Sequence, residues 1–119
     1  MDREKCPCCG FPTLEELNYY EICELCDWED DGQGDVDAHK VFGGPNGDYS
    51  LKEARKNFKE NLIMYREATQ KTNVIEAKKT LINVFLELDK YEVNALEYQA
   101  LWNKINAVEK KLELIRFTH

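Results

Sequence analysis

Four of the five cysteines fall into two Cys-x-x-Cys pairs, Cys6/Cys9 and Cys23/Cys26, with thirteen residues between Cys9 and Cys23. Two residues between thiols let one tight turn aim both sulfurs at a single ion. Two such knuckles a hairpin apart supply the four ligands of a tetrahedral zinc site. Gly10, just after the second sulfur, suits a backbone that must turn sharply. The expected cofactor is one structural Zn2+ held by Cys6, Cys9, Cys23 and Cys26. Four protein thiolates leave no position for a reacting water, so the ion would staple a module too small to build its own core.

Cys8 is the spare thiol. It can replace Cys6 or Cys9 as a ligand, act as a reactive thiol beside the metal, or fill space under the knuckle. The odd cysteine count and an N-terminus with no apolar run argue for an intracellular, cytoplasmic chain with metal ligands and against a disulfide framework. No stretch approaches the length of a membrane span.

Charge is uneven. The net −7 divides into −10 over residues 1–49, with three Lys/Arg against thirteen Asp/Glu, and +3 over residues 50–119. Four thiolates around one dication would add about −2 to the first part. Such a field repels phosphate backbones, so no nucleic acid is expected, and a basic protein is the expected partner. The acidic run reads either as a solvated loop, with Arg55 and Lys56 as internal counter-charges, or as a docking face of Asp30, Asp31, Asp35 and Asp37 with Trp28 or Phe42 as an apolar anchor. Trp28 is otherwise expected to pack over the metal site or the core behind it. Asp27, Glu29, Asp31 and Gly32 match the start of a calcium loop, but its twelfth position is Ala38, so that motif is rejected. His39 and His119 lack acidic partners at ligand spacing. Phosphate-loop, serine-nucleophile and metalloprotease motifs are absent, so no catalytic residues are assigned and a non-enzyme is expected.

The elements that must position these residues read as an α+β chain: a zinc-knuckle β-hairpin, a loop and about three helices. Tyr19 to Ile22 reads as the strand entering the second knuckle. Gly, Pro, Asn and Asp mark residues 30–48 as loop, pinned by Val41 and Phe42. Ser50 and Glu53 form a capping box for a helix over 51–68, with Leu51, Ala54, Phe58, Leu62 and Tyr65 on one face. A second helix over 73–88 carries Val74, Ala77, Leu81, Phe85 and Leu88, with Ile82 and Val84 widening the stripe. A third, over 90–116, carries Tyr98, Leu101, Ile105, Val108, Leu112 and Ile115, with Trp102 on the border. Asp89 and Glu92 fit a capping box, and Leu88 with Val93 a hydrophobic staple, which favours a break at Asp89 over one continuous helix. The domains expected are a cysteine-rich module over 1–49 and a helical region over 50–119 packed on it.

Cys6-Pro7-Cys8-Cys9-Gly10-Phe11, Tyr20-Glu21-Ile22-Cys23, Cys26-Asp27-Trp28-Glu29-Asp30-Asp31-Gly32, Gly43-Gly44-Pro45-Asn46 and Ser50-Leu51-Lys52-Glu53-Ala54-Arg55 occur in order. In combination they resemble the cysteine-rich CPCC family over residues 5–66. The resemblance implies a small, mainly bacterial protein that binds metal through these cysteines, and carries no established activity. The part from about residue 72 departs from the usual short form as an added helical hairpin. The leading function is a non-enzymatic, zinc-stabilised inhibitor of a basic protein, such as an immunity protein against a toxin. The alternatives are an assembly module that homodimerises through the C-terminal helices, and a thiol-based redox sensor using Cys8.

Overall fold

A computed structural model describes residues 3–117. Two short antiparallel strands, β1 (Glu4–Lys5) and β2 (Pro12–Leu14), pair Glu4 with Leu14 and Lys5 with Pro12 around a bulge. Two 3-10 turns follow at Asp35–Asp37 and Gly44–Asn46. Three helices complete the chain: α1 (Leu51–Asn61), α2 (Thr72–Leu88) and α3 (Leu96–Phe117). The architecture is α+β. No described helix is long and apolar enough to cross a membrane.

The chain divides into two compact units, one ending at Ala68 and the other beginning at Thr69. This places α1 with the cysteine module and not with the later helices, a different division from the one drawn at residue 49. The reason lies in the contacts α1 makes. Arg55 donates to the Pro7 carbonyl at 2.9 Å, and Phe58 meets Phe11 edge-on with ring centroids 6.5 Å apart. Lys52 N donates to the Ala38 carbonyl at 2.8 Å. Leu14, Leu25, Trp28, Leu51, Ala54 and Met64 are buried with the cysteines in this unit.

Ser50 caps α1 as expected: its backbone is extended and its hydroxyl accepts from Glu53 N at 3.1 Å. The helix stops at Asn61, short of the expected residue 68. Leu62 adopts a left-handed φ of 61° and donates to the Phe58 carbonyl at 2.8 Å. Neither Gly nor Pro signals this stop. Tertiary bonds impose it, because Met64 N donates to the Cys26 carbonyl at 2.9 Å and Asn57 Nδ2 to the Met64 carbonyl at 2.8 Å.

Two other local expectations are corrected. Residues 19–22 form no strand: Tyr20 has a φ of 60°, and only Ile22 makes an isolated bridge, to Glu29. Although the Val41 backbone bridges Ser50, the Val41 and Phe42 side chains are both about half exposed and do not anchor the loop. Gln33 does so instead. It is buried, and its amide donates to the carbonyls of Asp37 and Lys40.

In the second unit α2 and α3 pack on each other, with Phe85 edge-on to Trp102 at 6.4 Å. The expected stripe of α2 is buried except for Ile82, which is half-buried, and Lys78 is buried too. On α3 Ile105 and Leu112 are buried, and Trp102 is a core residue and not a border one. Tyr98, Leu101, Val108 and Ile115 are half-buried. The break between helices is real, but the box at Asp89 does not form. Asp89 has helical φ and ψ, which excludes the extended backbone of an N-cap. The chain winds down through Lys90 N to Glu87 O and Tyr91 N to Leu88 O, and α3 starts at Leu96. Val93 is 72% exposed, so there is no staple.

Candidate metal centre

The two knuckles are near copies of one another. In the first, Cys6 N donates to the Phe11 carbonyl at 2.9 Å and Gly10 N to the Cys6 carbonyl at 2.8 Å. In the second, Cys23 N donates to the Trp28 carbonyl at 2.9 Å and Asp27 N to the Cys23 carbonyl at 2.8 Å. Gly10 and Asp27 hold matching left-handed turns, with φ of 82° and 72°. Gly10 was legible as a turn residue. Asp27 was read only as an acid, although Asp is among the few residues that enter this region readily.

The turns bring the sulfurs of Cys6, Cys9, Cys23 and Cys26 within 4.8 Å of one another. The Cys6–Cys26 and Cys9–Cys23 separations are 3.6 and 3.7 Å. A tetrahedron with Zn–S bonds of about 2.3 Å has edges of about 3.8 Å, so the spacing fits a four-coordinate ion. It is far beyond the S–S bond of about 2.05 Å. All five cysteines are free thiols. Amides of Cys8 and Trp28 point at the sulfurs of Cys6 and Cys26, at 3.4 and 3.5 Å, and Thr13 Oγ1 lies 3.0 Å from the Cys23 sulfur. Such donors stabilise thiolate ligands and fix their orientation.

The electrostatics call for a cation. Burial resists ionisation of Cys23, but contacts with Cys26, Cys6, Cys9 and Thr13 outweigh it and hold its thiol well below the usual range. Its hydrogen bond to Cys23 pushes Cys9 far up, and burial followed by the neighbouring sulfurs pushes Cys26 well up. Each thiolate formed makes the next harder to form, until a positive ion enters. Cys8 is buried beside the cluster but is not one of the four converging residues.

The acidic run is not a uniform surface. Trp28 is 0% exposed, so it is the core residue that one reading expected and not a docking anchor, and Asp30 at 1% cannot meet a partner either. Asp30 is buried because its carboxylate accepts from Asn18 N at 2.7 Å and Gly32 N at 3.4 Å. Asp31 accepts from Gln33 N and Asn46 Nδ2, and Asp37 from Gly34 N. Asp35 is exposed and pairs with Arg55 at 2.7 Å. The run largely closes its own loops, as side chains that mimic backbone turns do.

A hairpin, two matched cysteine knuckles and a helix laid against them define a small knuckle module able to bind metal. The chain belongs to the cysteine-rich CPCC family, whose sequence model matches residues 4–79, well over half of it. The match runs past α1 into α2, further than the resemblance over 5–66 reached. No curated protein and no solved structure matches the chain.

Proposed function

We propose that this is a non-enzymatic, zinc-stapled protein-binding module whose partner is a basic protein, in the manner of an inhibitor or immunity protein. The observation that carries the zinc reading is the closed set of four sulfurs at tetrahedral spacing. Thiolates suit zinc, and four of them leave no place on the ion for substrate or water. Its role is then to replace apolar core in a unit of fewer than 70 residues. The net charge of −10 over residues 1–49 supports a basic partner, since complementary fields raise association rates. Purified protein refolded with zinc is expected to bind about one ion per chain, and a chelator to melt the first unit. Retention of full structure after complete metal removal would refute the staple.

A second reading, self-association through the C-terminal helices, is favoured by one feature. A groove of about 210 Å³ between α2 and α3 is lined by Ala77, Val108 and Ile115, with Glu76 and Lys111 of opposite sign beside them. Analytical ultracentrifugation distinguishes a dimer from a monomer directly.

A further inference from the structure

We propose that the loop over residues 15–22, between the two knuckles, is the surface by which the module docks on its basic partner. The inference rests on the binding-module reading above and moves the contact away from the buried Trp28 and Asp30. Leu17, Tyr19, Tyr20 and Ile22 are 41, 69, 59 and 62% exposed, four large apolar side chains in six residues. Single exposed apolar residues are ordinary, but four within one six-residue stretch are the kind of surface that interactions use. Tyrosine is also enriched where interfaces concentrate their energy, because it buries much area for few rotatable bonds.

The loop is held in place from beneath. Asn18 N donates to the Asp30 carboxylate at 2.7 Å and Tyr20 N to the Asp30 carbonyl at 3.0 Å. The amides of Glu15 and Glu16 both donate to the Glu21 carboxylate, at 3.0 and 2.8 Å. Asn18 and Tyr20 are held at φ of 66° and 60°, a region costly for a residue as bulky as tyrosine. Burial of the two tyrosines does not offset that cost, since both remain exposed. Such pre-ordering lowers the entropy lost on binding.

Charge selects the occupant. Ten Asp/Glu and no Lys/Arg lie between Lys5 and Lys40, and Glu15, Glu16 and Asp35 among them are exposed. Glu15 and Glu16 directly precede Leu17. A partner with an apolar centre and a Lys/Arg rim complements this surface. A second copy would bring two acidic segments together, and nucleic acid or an anionic bilayer would be repelled.

The test uses the full zinc-loaded chain with a photo-crosslinking benzoylphenylalanine at position 19, and a parallel chain with it at position 36, where Val36 is 94% exposed in the acidic loop. After irradiation in host cells, the adduct is identified and that protein is purified and titrated. The expected result is an adduct from position 19 with a protein of isoelectric point above about 9, whose affinity falls with salt. The paired change Tyr19→Ser and Tyr20→Ser should weaken it by about tenfold or more, with zinc content and melting temperature unchanged. Capture from position 36 alone, an acidic or neutral adduct, or equal affinity of the double variant overturns this surface while leaving a binding module standing. Capture from neither position, or an adduct that fails to bind when purified, overturns both readings.

Discussion

Asp27 occupies in the second knuckle the place of Gly10 in the first. Each follows the last cysteine of its pair, turns left-handed and donates its amide to the first cysteine's carbonyl at 2.8 Å. A β-carbon built on Gly10 would meet nothing within 4 Å, so the demand there is conformational and not steric. Gly10→Ala is therefore expected to cost about 1 kcal/mol, the penalty of a left-handed turn for a residue with a side chain. Asp27→Gly relieves that penalty and should leave stability within about 1 kcal/mol of the parent. Chemical denaturation of zinc-loaded protein checks both.

Metal content separates the ligands from the spare thiol. Cys23→Ser should abolish stoichiometric zinc and unfold the first unit, since it removes one corner of the tetrahedron together with the contact to Thr13. Cys8→Ser should retain about one zinc. Elemental analysis of Cys8→Ser showing complete metal loss would reassign the ligand set.

The acids of the run should divide by burial. Asp30→Ala removes a buried carboxylate and the acceptor of the Asn18 and Gly32 amides and should cost about 1–3 kcal/mol. Asp35→Asn touches only an exposed pair with Arg55 and should cost under about 1 kcal/mol. Equal losses for the two in thermal unfolding would contradict the loop-closing role of Asp30.

Arg66, beside Glu53, holds its carboxyl below the usual range, and Asn57 adds a hydrogen bond. A carboxylate depressed in the fold contributes stability above its unfolded pKa and loses it as pH falls through the folded value. Glu53→Gln should thus be slightly less stable than the parent at neutral pH. That difference should shrink from about pH 4.5 downward. A gap that widens on acidification would reverse the sign. Stability measured across pH with metal saturation held constant is the appropriate readout.

Ile105 is fully buried on α3, whereas Lys110 is exposed. Ile105→Asp should cost several kcal/mol by burying an unpaired carboxylate, on the order of the largest single-site losses. Lys110→Ala should be near neutral. Similar melting temperatures for both would show that the stripe is not a core.

The sequence by itself determined the cysteine pairs, the cap at Ser50 and the buried stripe of α2, because each is written in local spacing; the break after α2 is present, but not through the cap and staple that pointed to it. Cys-x-x-Cys sets the reach of one turn, Ser50 and Glu53 lie three residues apart, and apolar residues repeat at the helical period. Tertiary structure decided what local spacing cannot encode. α1 ends at Asn61 because Asn57 and the Cys26 carbonyl tie down Met64, and Cys26 is distant from it in sequence. Asp30, expected on a surface, is interior, and so is Trp28, for which the sequence left both a core and a surface role open. An acid can be buried when amides of its own chain surround it, and only the folded backbone places those amides. Tyr19 and Tyr20 went the other way. Their alternation looked like a half-buried strand, yet carboxylates of Asp30 and Glu21 hold the segment as a loop and leave both rings in solvent.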